Sequence, residues 1–166
     1  MSDNKENRIL KKAFIFLTAI FCLILIDQFT KKLAVQYLKD NGPFILIRNV
    51  LEFSYLENQG AAFGILQGKR TAFLIFAPAV SIGMFLYGLK LSKKKNMAPL
   101  VLCLIFVIAG ALGNFIDRLV NRYVVDFIYF SLIDFPVFNV ADIYVTCGCI
   151  LMMLLLLFKY KEADFD

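Results

Sequence analysis

Two aspartates, Asp126 in "VVDFIYF" and Asp142 in "FNVAD", sit sixteen residues apart in apolar surroundings, in a chain of 166 residues without a histidine. The missing histidine removes Ser-His-Asp and Cys-His catalysis and the common zinc sites. A water-activating site can instead use two close carboxylates that share one proton. One takes a proton from water while the other donates to the substrate carbonyl oxygen. Each acid also has a plainer reading. Asp142 suits the first turn of a helix, where the macrodipole favours negative charge, and Asp126 suits a solvated loop. The four cysteines, Cys22, Cys103, Cys147 and Cys149, have no C-x-x-C spacing and read as small apolar filler rather than a metal or redox site.

The elements that must position these acids follow from hydropathy. Hydrophobic residues make up 60% of the chain, above the roughly 45–50% of soluble domains. Four runs are nearly free of charge: 13–30 with Asp27 alone, 71–89, 96–116, and 135–158 with Asp142 alone. A helix rising ~1.5 Å per residue needs ~20 such residues to cross the hydrocarbon core. The expectation is one integral-membrane domain over 1–166, with spans at about 12–30, 71–90, 96–117 and 138–158. The first run lacks a small-residue cleavage site, and three more runs follow it, so it reads as a retained helix.

Four spans place both termini on one side. The basic N-terminus and the short "KLSKKK" connection assign that side to the cytoplasm. The formal net charge of +5 is then accounted for by anionic lipid headgroups, without nucleic acid. The extracytoplasmic segments, about 32–70 and 118–137, contain "LEFSYL" and "VVDFIYF", which read as short strands. Asn41-Gly42-Pro43 supplies the turn into the first.

Polar residues collect where the spans meet this outer side: Asp27 and Lys31, Asn58, Asn114 with Asp117 and Arg118, and Asn139 with Asp142. Ionisable groups at membrane depth cost ~2.5–3.5 kcal/mol each on insertion scales and normally have a partner or a role. Asp27 and Lys31 are spaced for an i,i+4 pair, Asp117 and Arg118 for a local ion pair, and Asn58 for a turn before glycine. A transporter using Asp27, Asp126 and Asp142 as proton or cation sites is an alternative, as is a scaffold whose polar cluster holds helix ends together.

Five motifs, "DQFTK" (Asp27–Lys31), "NQGAAFG" (Asn58–Gly64), "GALGNFIDR" (Gly110–Arg118), "VVDF" (Val124–Phe127) and "FNVAD" (Phe138–Asp142), resemble those of bacterial lipoprotein signal peptidase, signal peptidase II, in order and in placement at the span ends. The resemblance implies a four-helix membrane bundle with a small extracytoplasmic β-cradle and a loop or short helix over the site. It implies an aspartyl protease with Asp126 and Asp142 as the catalytic dyad. Asn58, Gly60, Asn114, Arg118 and Asn139 would line or brace the site, with Asp27 and Lys31 as structural support. The implied substrate is a prolipoprotein whose lipobox cysteine carries diacylglycerol, cut on the amino side of that cysteine at the extracytoplasmic membrane face. No metal or cofactor is expected, and nothing beyond a monomer is required. Where the family often has a small residue after the second aspartate, this chain has Ile143 and Tyr144, so substrate fit is the property open to change.

Overall fold

A computed structural model of the chain describes residues 2–60 and 70–165. Helix α1 (Ser2–Leu38) leads into strands β1 (Phe44–Ile47) and β2 (Leu51–Asn58); helices α2 (Arg70–Leu91) and α3 (Ala98–Val120) follow, then β3 (Val124–Tyr129), a 3-10 turn at Ser131–Ile133, and α4 (Val140–Phe158). All four helices are long and apolar enough to cross a membrane. The expected strands form one antiparallel sheet in the order β1-β2-β3. Gly42, at φ +79°, occupies the left-handed conformation that the turn before β1 requires.

Helix α1 extends well past both ends of the apolar run 12–30. Its flanks, such as "KKLAVQYL", are polar enough to end a hydropathy window, yet they contain no helix breaker. Hydropathy marks the stretch that lipid can cover, whereas the helix continues as far as its backbone is satisfied.

Helix α3 is the middle of the bundle and packs against α1, α2 and α4. Its buried residues recur along one broad face, from Leu100 through Leu104, Ile108 and Gly113 to Asp117. Two glycines allow the close approach. A Cβ at Gly110 would lie 2.3 Å from the Ala141 carbonyl oxygen on α4, and one at Gly113 would lie 2.6 Å from Asp27 Oδ2 on α1. Pro99 sits in the first turn of α3, where its missing N–H leaves no intrahelical bond unmade.

At the end of the bundle away from the sheet, Lys12 donates to the Ser92 carbonyl and Tyr160 Oη donates to the Asn96 carbonyl at 2.7 Å, closing the α2–α3 connection. At the other end the sheet lies over α1. Val125 and Phe127 of β3 pack on Ala34 and Leu38, with Phe53 and Tyr55 of β2 beside them. Of the cysteines only Cys103 is buried; Cys22, Cys147 and Cys149 are exposed, and none is disulfide-bonded. The filler role therefore holds for Cys103 alone.

The glycine contacts set an expectation for stability. Gly113→Ala forces its methyl group against the Asp27 carboxylate and is expected to cost ~1–3 kcal/mol, the range for overpacking a filled interior. The check is a lowered midpoint of thermal unfolding in detergent micelles, followed by circular dichroism.

Candidate active site

The site begins with the way α4 starts. Asn139 is its N-cap, in extended conformation, and the cap is reciprocal. Asn139 Oδ1 accepts from the Asp142 backbone N–H at 3.0 Å, while Asp142 Oδ2 accepts from the Asn139 N–H at 3.1 Å. This is a capping box with a carboxylate at N3. The plainer reading of Asp142 is therefore correct, and it leaves the residue's other oxygen free for a second contact. Asn114 Nδ2, from α3, donates to that oxygen, Oδ1, at 2.8 Å.

Asp126 reaches the same place from the sheet. Strand β3 pairs with β2 on one side. On the other, Phe127 N–H donates to the Phe138 carbonyl and Phe138 N–H to the Ile128 carbonyl, both at 3.0 Å. That bridge brings the cap residue Asn139 against the strand. Asn139 Nδ2 then donates to Asp126 Oδ1 at 2.6 Å, and Asn58 Nδ2, from β2, donates to Asp126 Oδ2 at 2.7 Å. Asn139 thus contacts both aspartates. Its amide orientation is settled, because its oxygen holds the Asp142 N–H and its nitrogen serves Asp126 and Asn114 Oδ1.

Asn58 likewise has both ends used, since its Oδ1 accepts from Gly60 N–H at 2.9 Å. Gly60 is held in turn by Arg118, whose Nη2 donates to its carbonyl at 2.7 Å. The Arg118 guanidinium lies 4.5 Å from the centre of the Phe73 ring, a cation–π contact. The expected Asp117–Arg118 ion pair does not form. Neighbouring residues on a helix point about 100° apart, and Asp117 turns inward to Lys31 while Arg118 turns to the cleft.

Behind the two aspartates lies a second polar tier. Lys31 Nζ is 2.9 Å from Asp27 Oδ2 and 3.0 Å from Asp117 Oδ2, and it donates to Asn114 Oδ1 at 2.8 Å. All three charged residues are buried. Asp27 Oδ1 accepts from the backbone N–H of Ala141, and Asp117 Oδ2 from that of Val125. Those are the residues immediately before Asp142 and Asp126. The Asp27–Lys31 pair is thus one arm of a bracket whose two ends grip the backbone beside each acid.

Gln28, which sequence reasoning did not single out, completes the bracket. Its Nε2 lies 3.1 Å from Asp27 Oδ2, 3.0 Å from Asp117 Oδ1 and 3.1 Å from the Gly113 carbonyl. Its place inside "DQFTK" was the available signal.

The two aspartates open on a cleft of about 1120 Å³, walled by β2, the ends of α3 and α4, and the loop Phe135–Phe138. Ile143 lines this cleft; Tyr144 instead packs edge-on to Phe106 on α3, with ring centres 5.7 Å apart. Tyr144 therefore does not narrow the site. The Ala61–Gly64 part of "NQGAAFG" lies outside the described residues. Burial pushes the Asp126 carboxyl up to about 7, with the nearby Asp142 charge adding to the rise and the amide donors Asn58 and Asn139 opposing it. Among the described residues no group of three or more His, Cys, Asp or Glu side chains is arranged to hold a metal ion.

Fold and site together define a polytopic membrane protein with a buried two-carboxylate centre at one end of its bundle. The model of the family described as signal peptidase (SPase) II matches residues 19–158. A lipoprotein signal peptidase of Brevibacillus brevis is 45% identical over 132 residues, 80% of this chain and 87% of the relative; one from Clostridium tetani is 42% identical over 146 residues, 86% and 90% of the two chains. Among solved structures, a bacterial membrane enzyme determined by the in meso method at 2.3 Å superposes with a TM-score of 0.79 at 35% identity, covering 89% of this chain and 92% of that one. The chain belongs to the signal peptidase II family.

Two outcomes follow for stability. Lys31→Met leaves Asp27 and Asp117 buried without their cation and is expected to cost ~3–5 kcal/mol. Adding Asp27→Asn and Asp117→Asn to it recovers part of that loss, read as unfolding midpoints in detergent.

The second outcome concerns pH. Asp126 titrates near 7 when folded, against an ordinary value of 3.8, so the folded state holds the extra proton between those values. Its contribution makes the protein less stable as pH rises through that window and is level above it. Asp126→Asn is expected to flatten this slope in unfolding scans across the window.

Proposed function

We propose that this protein is an aspartic endopeptidase that removes the signal peptide from prolipoproteins, cutting on the amino side of a cysteine that already carries diacylglycerol. The observation that carries the reading is the pair Asp126 and Asp142, tied through Asn139 and facing one cleft. The relatives' shared description as lipoprotein signal peptidases supports the choice of substrate.

In this mechanism the pair shares one proton. Asp126 holds it near neutral pH, since burial favours its neutral form. Asp142 is the base, at the α4 N-terminus, where the helix dipole favours negative charge. Asp142 takes a proton from water, and the oxygen attacks the scissile carbonyl carbon. Asp126 gives its proton to the carbonyl oxygen, forming a tetrahedral gem-diol. Collapse breaks the C–N bond. The leaving nitrogen takes the proton held by Asp142, and Asp126 recovers its own from the diol. The products are the peptide's carboxylic acid, which ionises in water, and the free amino group of the lipidated cysteine.

Such a substrate sits in the bilayer, so a cleft at the end of the spans meets it where the signal helix ends. We place both termini in the cytoplasm and the site near the extracytoplasmic face, on the basic "KLSKKK" connection, and assign the working unit as a monomer in the bacterial cytoplasmic membrane. The transporter reading is weakened at Asp27, both of whose oxygens are already engaged by Lys31 and Ala141 N–H.

Asp126→Asn and Asp142→Asn, each alone, are expected to lower cleavage of a diacylglyceryl-modified lipobox peptide by ~10²–10⁴-fold with the fold intact. Near-normal turnover in either would overturn the dyad. Wild-type turnover should fall as pH rises past about 7, where Asp126 loses its proton; a rate that keeps rising well above that pH contradicts Asp126 as the acid. Activity lost to a chelator and restored by a divalent metal would assign the chemistry elsewhere.

A further inference from the structure

Every residue from Asn41 to Asn49 is exposed. Four of them, Phe44, Ile45, Leu46 and Ile47, make up β1 and are each between 51% and 58% open. A strand with one covered face alternates apolar and polar residues; β1 is apolar on both faces. It is also the edge of the sheet. In water, an open apolar edge is a template for pairing with another chain, and no charge lies between Asn41 and Ile47 to prevent that.

We propose that β1 lies in the headgroup–acyl boundary of the bilayer, with lipid as its partner on both faces. Three observations favour lipid. First, β1 continues an exposed apolar surface: α1 exposes Phe29, Leu33, Val35 and Tyr37 along its outer turns, and β1 starts six residues after α1 ends. A tyrosine at a span's end suits the membrane interface. Second, Arg48 follows the strand directly, is exposed, and makes no ion pair among the described residues; its long stem can cross apolar groups to reach a phosphate. Lys39, by contrast, is engaged by Glu57 at 2.9 Å. Third, the depth is bounded. The outer edge of β1 carries backbone groups that hydrocarbon cannot satisfy, so the strand settles where water still reaches them.

The consequence reaches the site through aromatic rings. Phe44 stacks on Phe53 at 6.4 Å, and Phe53 meets Phe127 at 6.2 Å. Phe127 follows Asp126 in β3, so the depth of β1 helps set the height of that carboxylate above the membrane. The value of this to catalysis rests on the peptidase reading; the depth itself does not.

The chain has no tryptophan, so Leu46→Trp introduces a single fluorophore, and Ile45→Trp places one at a second position in the same strand. Val80→Trp, on the exposed surface of α2, reports the interior of the bilayer. The variants are reconstituted in vesicles whose phosphatidylcholine carries a nitroxide either near the ester carbonyls or near the chain end. Both β1 variants are expected to show blue-shifted emission and to lose more of it to the shallow label than to the deep one, with Val80→Trp showing the reverse. Emission typical of water, quenched by iodide and by neither lipid label, overturns the proposal. So does resonance energy transfer between labelled copies that depends on protein density and accompanies insensitivity to both labels, because the edge then pairs with a second copy. No arm reads catalysis, so failure here is separable from failure of the proposed activity.

Discussion

One ammonium group, Lys31 Nζ, holds the polar end of this bundle together. It lies within 3.0 Å of a carboxylate from its own helix and of one from α3, in a place water does not reach. Burying a cation and two anions is costly, and their mutual attraction offsets that cost only when the remaining hydrogen-bonding positions are filled. Here they are filled by the structure that must be placed. Asp27 spends its second oxygen on Ala141 N–H, and the Asp117 oxygen that meets Lys31 also takes Val125 N–H. A cluster that would otherwise weaken the fold therefore fixes a helix start and a strand start relative to each other.

That arrangement makes the packing of α3 a precondition of the site. Asp27 can turn inward because Gly113 leaves room for its carboxylate, and α4 can come close because Gly110 leaves room for the Ala141 carbonyl. Small residues at helix contacts in membranes allow backbones to approach; at Gly113 the space is occupied by a side-chain carboxylate. The amide tier depends on the same contact. Asn114 Oδ1 receives Lys31 Nζ, which leaves its Nδ2 to point at Asp142. A buried charge thus orients an amide, and the amide orients a carboxylate, over two hydrogen bonds.

Much of this was legible in the residues. Runs of the right length with at most one charge each pointed to four helices, and β-branched and aromatic stretches between them to strands. The gathering of polar residues at one set of span ends pointed to the end of the bundle where the structure brings Asp126 and Asp142 to one cleft. Less was legible where one residue serves two purposes. Asp142 reads as a helix acid or as a chemical group; only coordinates reveal that one oxygen belongs to the cap and the other to Asn114. Asp117 beside Arg118 reads as an ion pair because sequence adjacency suggests it, whereas helical geometry separates them. Gln28 reads as an ordinary amide, since its three acceptors come from two helices whose relative rotation no local pattern specifies. The outward ends of α1 escaped hydropathy because a helix does not stop where lipid does.

The two acids come from different kinds of element, and this shapes what each can do. Asp142 is fixed by the bundle: it sits in the first turn of α4, its cap is closed, and Ala141 is held by α1. Asp126 is fixed by a sheet that rests on α1 and extends away from the bundle to the open edge at β1. Its strand is tied back at two places, by Asp117 at Val125 and by Phe138 at Phe127 and Ile128. Both ties lie within two residues of Asp126, so the strand is fixed locally on either side of the carboxylate. The floor of the cleft is thus held from the bundle and from the sheet at once, while β2 and β3 form part of its wall.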